Sequence, residues 1–295
     1  MIETGVGQTS CAKPQHPLRY STITTSHIEK FIMPTSPLFS TQIDALPVQV
    51  YPSNEAMGRA AALVAVDILR QAIAERGEAN IIIATGNSQL TFLQALREMD
   101  VAWDQVTVFH MDEYVALPEG HPASFPTFLH RHFLDFIQVK RFYPVLARSG
   151  RLEQDCADYA ALLRQHPADF CALGYGENGH LAFNDPPFAE FDDPVWVKVV
   201  RLAEASRRQQ VGEGHFASLD EVPTHAVTLT IPALLAARHV LAIVPEARKA
   251  DAVQRALLGP IDETCPGSIL RRTPHARLFL DAASAAGVKG KIGDW

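Results

Sequence analysis

Phe170-Cys171-Ala172-Leu173-Gly174-Tyr175-Gly176-Glu177-Asn178-Gly179-His180-Leu181-Ala182-Phe183-Asn184-Asp185-Pro186 is the stretch that decides how the chain is read. Four apolar residues run without alternation into a turn carrying three glycines, a histidine and two carboxylates. An unbroken apolar run bounded by glycine is the pattern of a strand buried on both faces, and such strands belong to parallel sheets. Glycines at the strand end let backbone amides approach a ligand with no side chain in the way. His180 can move a proton near neutral pH. A glycine-rich connection with a solvated histidine has the same composition, so the functional weight must come from the rest of the chain.

Similar units lie on both sides. Residues 48–51, 81–84, 106–109, 240–244 and 277–280 are further short apolar runs, and 196–201 and 226–229 are additional strand candidates. Between them, Ser53 is placed to cap a helix reaching to about residue 75, with Ala60, Leu63, Val64, Ile68 and Leu69 on one side. Leu90, Leu93 and Leu96 begin a second stripe, and helices are expected over 128–136, 154–164 and up to about 258. Buried strands alternating with amphipathic helices predict an α/β fold: a three-layer, Rossmann-like arrangement with a mostly parallel sheet and helices on both faces. Residues 1–45, rich in Ser, Thr and Pro and without sustained periodicity, read as an N-terminal tail or extension. Residues 46–295 read as the α/β domain.

A chain of 295 residues that is 47% hydrophobic can bury a substantial core. Its net charge of −7 argues against a nucleic-acid surface. No stretch is long and apolar enough to cross a membrane. The four cysteines show neither metal-ligand spacing nor disulfide density, which points to a reducing, cytoplasmic setting.

In open α/β sheets, ligands bind beyond the carboxyl ends of the strands. Four segments fall there: Thr85-Gly86-Asn87-Ser88, Met111-Asp112-Glu113-Tyr114, the Gly174–His180 turn, and Glu246-Ala247-Arg248-Lys249. The first precedes a helix, so its amides and hydroxyls can hold a phosphate, with Lys249 supplying a cation. Asp112 is a candidate base at a partly desolvated strand end. Glu113 is its rival, and because neighbours on an extended segment point apart, one of the two faces the site. His110 and Asp112 could share a metal, but no further ligand at recognisable spacing completes a shell.

These residues resemble the glucosamine-6-phosphate deaminase (isomerase) family. The resemblance rests on Phe109-His110-Met111-Asp112-Glu113-Tyr114, His121-Pro122-Ala123-Ser124-Phe125, Gly176 through Asn184, and Cys265-Pro266-Gly267-Ser268-Ile269-Leu270. It implies conversion of glucosamine 6-phosphate and water to fructose 6-phosphate and ammonia, with no metal and no organic cofactor. On this resemblance Asp112 carries the proton between C2 and C1, and His180 opens the pyranose ring. Thr85, Gly86, Asn87, Ser88, Gly176, Gly179 and Lys249 hold phosphate and sugar hydroxyls. Where the family carries Asp before its Gly-His and Glu after its Phe-Asn, this chain has Asn178 and Asp185, so His180 is expected to be assisted by Glu177 or Asp185. The family's phosphate-binding arginine falls within residues 206–216, where Arg207, Arg208 and His215 are alternatives. Residues 187–193 are acidic, which predicts no activation by N-acetylglucosamine 6-phosphate. The implied partner is a small phosphorylated sugar, with homo-oligomerisation left open. A 6-phosphogluconolactonase, whose strand-end block pairs Asp-Glu with Arg rather than Tyr114, and a non-catalytic sugar-phosphate sensor are the alternatives.

Overall fold

Isoleucines 81, 82 and 83 lie in β3 (Ala79–Ile83), where all five residues are buried, and this strand organises the molecule. In the computed structural model, which describes residues 1, 36–118, 120–186 and 188–295, β3 pairs in parallel with β4 (Val106–His110) on one side and β7 (Phe170–Leu173) on the other. Beyond β4 lies β6 (Arg141–Tyr143); beyond β7 lie β10 (His239–Val244), β11 (Ala276–Asp281) and β2 (Leu46–Tyr51), all parallel. β1 (Phe39–Ile43) closes the sheet as an antiparallel edge on β2. The eight-stranded order is β1-β2-β11-β10-β7-β3-β4-β6. A mostly parallel sheet, as the apolar runs predict, follows from strands that are covered on both faces.

Alternation along the strands fills two cores. Ile81, Ile83, Val108, Phe170, Ala172 and Ile243 face one side. There they meet α1 (Asn54–Arg76), α2 (Leu90–Arg97) and α3 (Phe125–His132). Ile82, Phe109, Cys171, Leu173, Ala242 and Val244 face the other, against α4 (Leu152–Gln165), α6 (Ile231–Leu235) and α7 (Ala250–Leu258). Ser53 caps α1 by accepting from the Ala56 amide at 3.2 Å, and Gly77 at φ 75° ends the helix in a left-handed turn.

Several expectations need correction. Residues 39–43, assigned above to the N-terminal extension, form β1; residues 2–35 lie outside the described part. The helix expected over 128–136 spans 125–132, because Phe133 leaves helical geometry and a separate turn follows. The strands at β8 (Val197–Arg201) and β9 (His225–Leu229) do not join the parallel sheet. With β5 (Asp112–Tyr114) they make a small antiparallel sheet, in the order β5-β9-β8. A polar helix, α5 (Glu204–Gly212), follows β8.

Candidate active site

Topology fixes where the site must be. After β3 the chain continues outward to β4 and β6, then returns to place β7 on the opposite side of β3. The sheet therefore changes direction between β3 and β7, and the connections leaving their carboxyl ends diverge and open a crevice. The loops after β10, β7, β3 and β4, which are four adjacent strands, all reach that crevice. Thr85, Gly86, Ser88, Asp112, Gly174, Gly176, His180 and Lys249 line it together, and it holds about 610 Å³ including its open mouth.

Asp112 and Glu113 divide as the extended backbone demands. Asp112 lines the crevice. Burial, reinforced by the neighbouring Glu113 charge, raises its carboxyl well above the ordinary range. Glu113 points elsewhere: it accepts from the Tyr114 amide at 2.8 Å, the Ser124 hydroxyl at 2.6 Å and the Phe125 amide at 3.2 Å, tying β5 to the start of α3. Burial lifts its carboxyl to about 7 against those three hydrogen bonds. His110 is fully buried, and its Nε2 accepts from the Val145 amide at 2.7 Å. Burial holds it neutral, at about 3. Among the described residues, no three His, Cys, Asp or Glu side chains group in a way that could hold a metal.

His180 is held from behind. Its Nδ1 lies 2.7 Å from Asn178 Oδ1 and 2.9 Å from Asp185 Oδ1. Both neighbours are acceptors, so Nδ1 carries the proton and Nε2 is left as the basic nitrogen for the crevice. Asn178 Nδ2 donates to the same Asp185 oxygen at 2.7 Å, and so does the Ser206 hydroxyl at 2.6 Å. Burial by itself would raise the Asp185 carboxyl. The His180 charge and the hydrogen bonds from His180, Ser206 and Asn178 outweigh burial and hold it at about 2. The shorter side chain at 185 thus reaches the histidine. Gly176 makes room for the ring: a Cβ there would sit 2.1 Å from His180 Cε1.

The other expected residues divide between the crevice and its surroundings. Thr85, Gly86 and Ser88 line the crevice; Asn87 does not. Lys249 is buried, and burial, with Arg248 beside it, lowers its ammonium. Glu177 pairs with Arg248 at 3.4 Å, whereas the carboxylate that pairs with His180 is that of Asp185. Gly179 serves the turn at φ 86°, and a Cβ there would meet Cys265 Sγ at 2.6 Å. Neither arginine reaches the crevice: Arg207 donates to the Leu219 and Val222 carbonyls, and Arg208 pairs with Glu204 on the exposed side of α5. His215 lies 3.4 Å from Glu213 and lines no part of the crevice.

Sequence reasoning missed Gln89, Gln209, Gln210 and Glu213, which line the crevice, and Ser206 behind it. Gln89 is fully buried and donates to the Ile243 carbonyl at 3.2 Å, clasping β10. The α5 residues follow an antiparallel strand rather than a parallel one, so the strand-end rule does not find them.

Fold and site define a doubly wound α/β enzyme with Asp112, His180 and Lys249 lining one crevice at its switch point. The chain belongs to the family described as glucosamine-6-phosphate isomerases/6-phosphogluconolactonase, whose model matches residues 52–279. It is 34% identical over 224 residues to a glucosamine-6-phosphate deaminase of Exiguobacterium sibiricum, covering 76% of this chain and 87% of the relative. It is 32% identical over 218 residues to one of Bacillus cereus, covering 74% and 81%. Among solved structures it is similar to a monomeric glucosamine-6-phosphate deaminase, with TM-score 0.75 and 26% identity over 81% of this chain and 99% of that one. A 6-phosphogluconolactonase from Trypanosoma brucei shares the fold at TM-score 0.68 and 17% identity, over 85% of this chain and all of that one.

Proposed function

We propose that the protein converts glucosamine 6-phosphate and water to fructose 6-phosphate and ammonia, with Asp112 and His180 as its proton-transferring residues. The observation that carries this reading is that both side chains line one crevice together with Lys249. His180 Nε2 takes or gives the proton exchanged between ring and anomeric oxygens, and the Asp185 carboxylate stabilises the imidazolium that forms. Asp112, ionised, takes the C2 proton of the open chain and returns it to C1. Its burial makes it a stronger base than a solvated carboxylate. Lys249 and the Thr85, Gly86 and Ser88 loop hold the phosphate. Water then displaces the amine at C2 of the rearranged imine, and ammonia leaves.

The relatives named as deaminases support this reading over the lactonase. So does Tyr114, which stands where the lactonases carry Arg and is packed among Phe125, Phe183 and Phe216. The free, buried thiols of Cys156, Cys171 and Cys265 support a cytoplasmic setting. A coupled assay over a panel of hexose and hexosamine phosphates tests the proposal. Ammonia and fructose 6-phosphate in equal amounts from glucosamine 6-phosphate are expected. Ketose without ammonia, or tight binding without turnover, would overturn it.

A further inference from the structure

His180 borders open space on two sides. It lines the crevice, and it also lines a second cavity of about 510 Å³ with Glu177, Asn178, Ala205, Ser206, Gln209 and Arg255. Gly176 packs against the ring, and hydrogen bonds hold its Nδ1 edge. Two of the groups that set those bonds, Asn178 and Asp185, come from the loop of His180 itself. The third comes from elsewhere in the chain. Ser206, on α5, is 2% exposed, donates to Asp185 Oδ1 at 2.6 Å and stands 3.4 Å from His180 Nδ1. The same helix brings Gln209 and Gln210 into the crevice one turn later, and Glu213 follows just beyond it. Glu213 is anchored in turn by Arg248 at 2.6 Å. One helix thus forms a wall of the crevice and grips the back of the histidine–carboxylate pair.

We propose that Ser206 is a positioning residue: it locks Asp185 and through it the His180 ring, so that the pair is aligned only while α5 is seated as the crevice wall. The inference rests on the proposed use of His180 in ring opening. Its physical basis is that a reacting group displaced by about 1 Å can lose on the order of a hundredfold in rate. Asp185 also has no replacement donor at hand: its Oδ2 is buried without a partner, and Oδ1 already takes all three donors.

The test compares Ser206→Ala and Ser206→Thr in the full chain. For Ser206→Ala, kcat on glucosamine 6-phosphate is expected to fall about ten- to a hundredfold while KM stays within about twofold, and Ser206→Thr, which keeps the hydroxyl, recovers most of the loss. The downfield imidazole Nδ1–H proton signal, assigned through its loss in His180→Ala, is expected to move in Ser206→Ala and to stay in Ser206→Thr. Glucitol 6-phosphate, measured by calorimetry, should bind the variants alike. A rise in KM with weakened glucitol 6-phosphate binding would mean that Ser206 merely holds α5 in shape, and an unmoved Nδ1–H signal would also overturn the proposal. The spectral and binding arms need no turnover. If the wild type fails to release ammonia, the function assigned above falls while Ser206 is still judged.

Discussion

Asp112 is placed for chemistry at a cost to the fold. A carboxyl whose folded pKa is raised contributes stability below its unfolded pKa and loses it as pH climbs to the folded value. Burial raises the Asp112 carboxyl well above its ordinary range, so stability is lost as pH climbs through the folded value, a loss that Asn at this position would not suffer. Asp112→Asn is expected to melt higher than wild type at pH 8, by about 2–4 °C for each kcal/mol released, with the gap closing near pH 4. A variant that melts lower at pH 8 would show that the carboxylate is stabilised by a partner. Gly176 makes the complementary point about space. The methyl group that Ala would add there would collide with the pinned His180 ring. Gly176→Ala should lower kcat/KM at least about tenfold by misaligning the ring, with circular dichroism unchanged. Wild-type kinetics in that variant would show that the ring is free to move.

At the scale of elements, the positions of the helices are set by a few close approaches. Gly58 on α1 is one: a Cβ would lie 2.6 Å from Thr91 Oγ1 and 2.8 Å from the Thr91 carbonyl carbon on α2. Because backbone is involved, the clash cannot be relieved by a rotamer change. Gly58→Ala is expected to cost about 1–3 kcal/mol in chemical denaturation despite the better helix propensity of Ala. Unchanged stability would show that the two helices can slide apart. The parallel strands and the long helices were legible because each carries its own signal. Ile81 to Ile83 and Phe170 to Leu173 are unbroken apolar runs, and Ser53 caps a helix where a cap belongs. β1, β5, β6 and α5 were not legible. β5 and β6 have three residues each, β1 alternates at an edge, and α5 has a single buried residue and hence no apolar stripe to read. The site divided in the same way. Residues in the segments that leave parallel strands, Asp112, His180 and Lys249, were found from topology. Ser206, Gln209 and Glu213 were not, since only the packing of α5 against the loop brings them in.

At the scale of the whole molecule, the reading depends on four loops meeting over the strands β10, β7, β3 and β4, which the sheet order makes neighbours. The acidic stretch between β7 and β8 has its own bearing on regulation. Lys198 is taken up by Asp193 at 2.6 Å and by Glu190 at 3.7 Å, leaving this surface with a negative excess that disfavours a phosphorylated effector. Rate curves are expected to stay hyperbolic and unchanged when N-acetylglucosamine 6-phosphate is added, and a sigmoidal curve straightened by that compound would contradict this. The most direct test of the account follows the hydrogen that Asp112 is held to move. In deuterated water, with fructose 6-phosphate and ammonium supplied, wild-type protein should exchange the C1 hydrogen of the ketose, read by proton NMR. Folded Asp112→Asn should exchange it at least about a hundredfold more slowly. Exchange at the wild-type rate in that variant would mean that another group carries the proton.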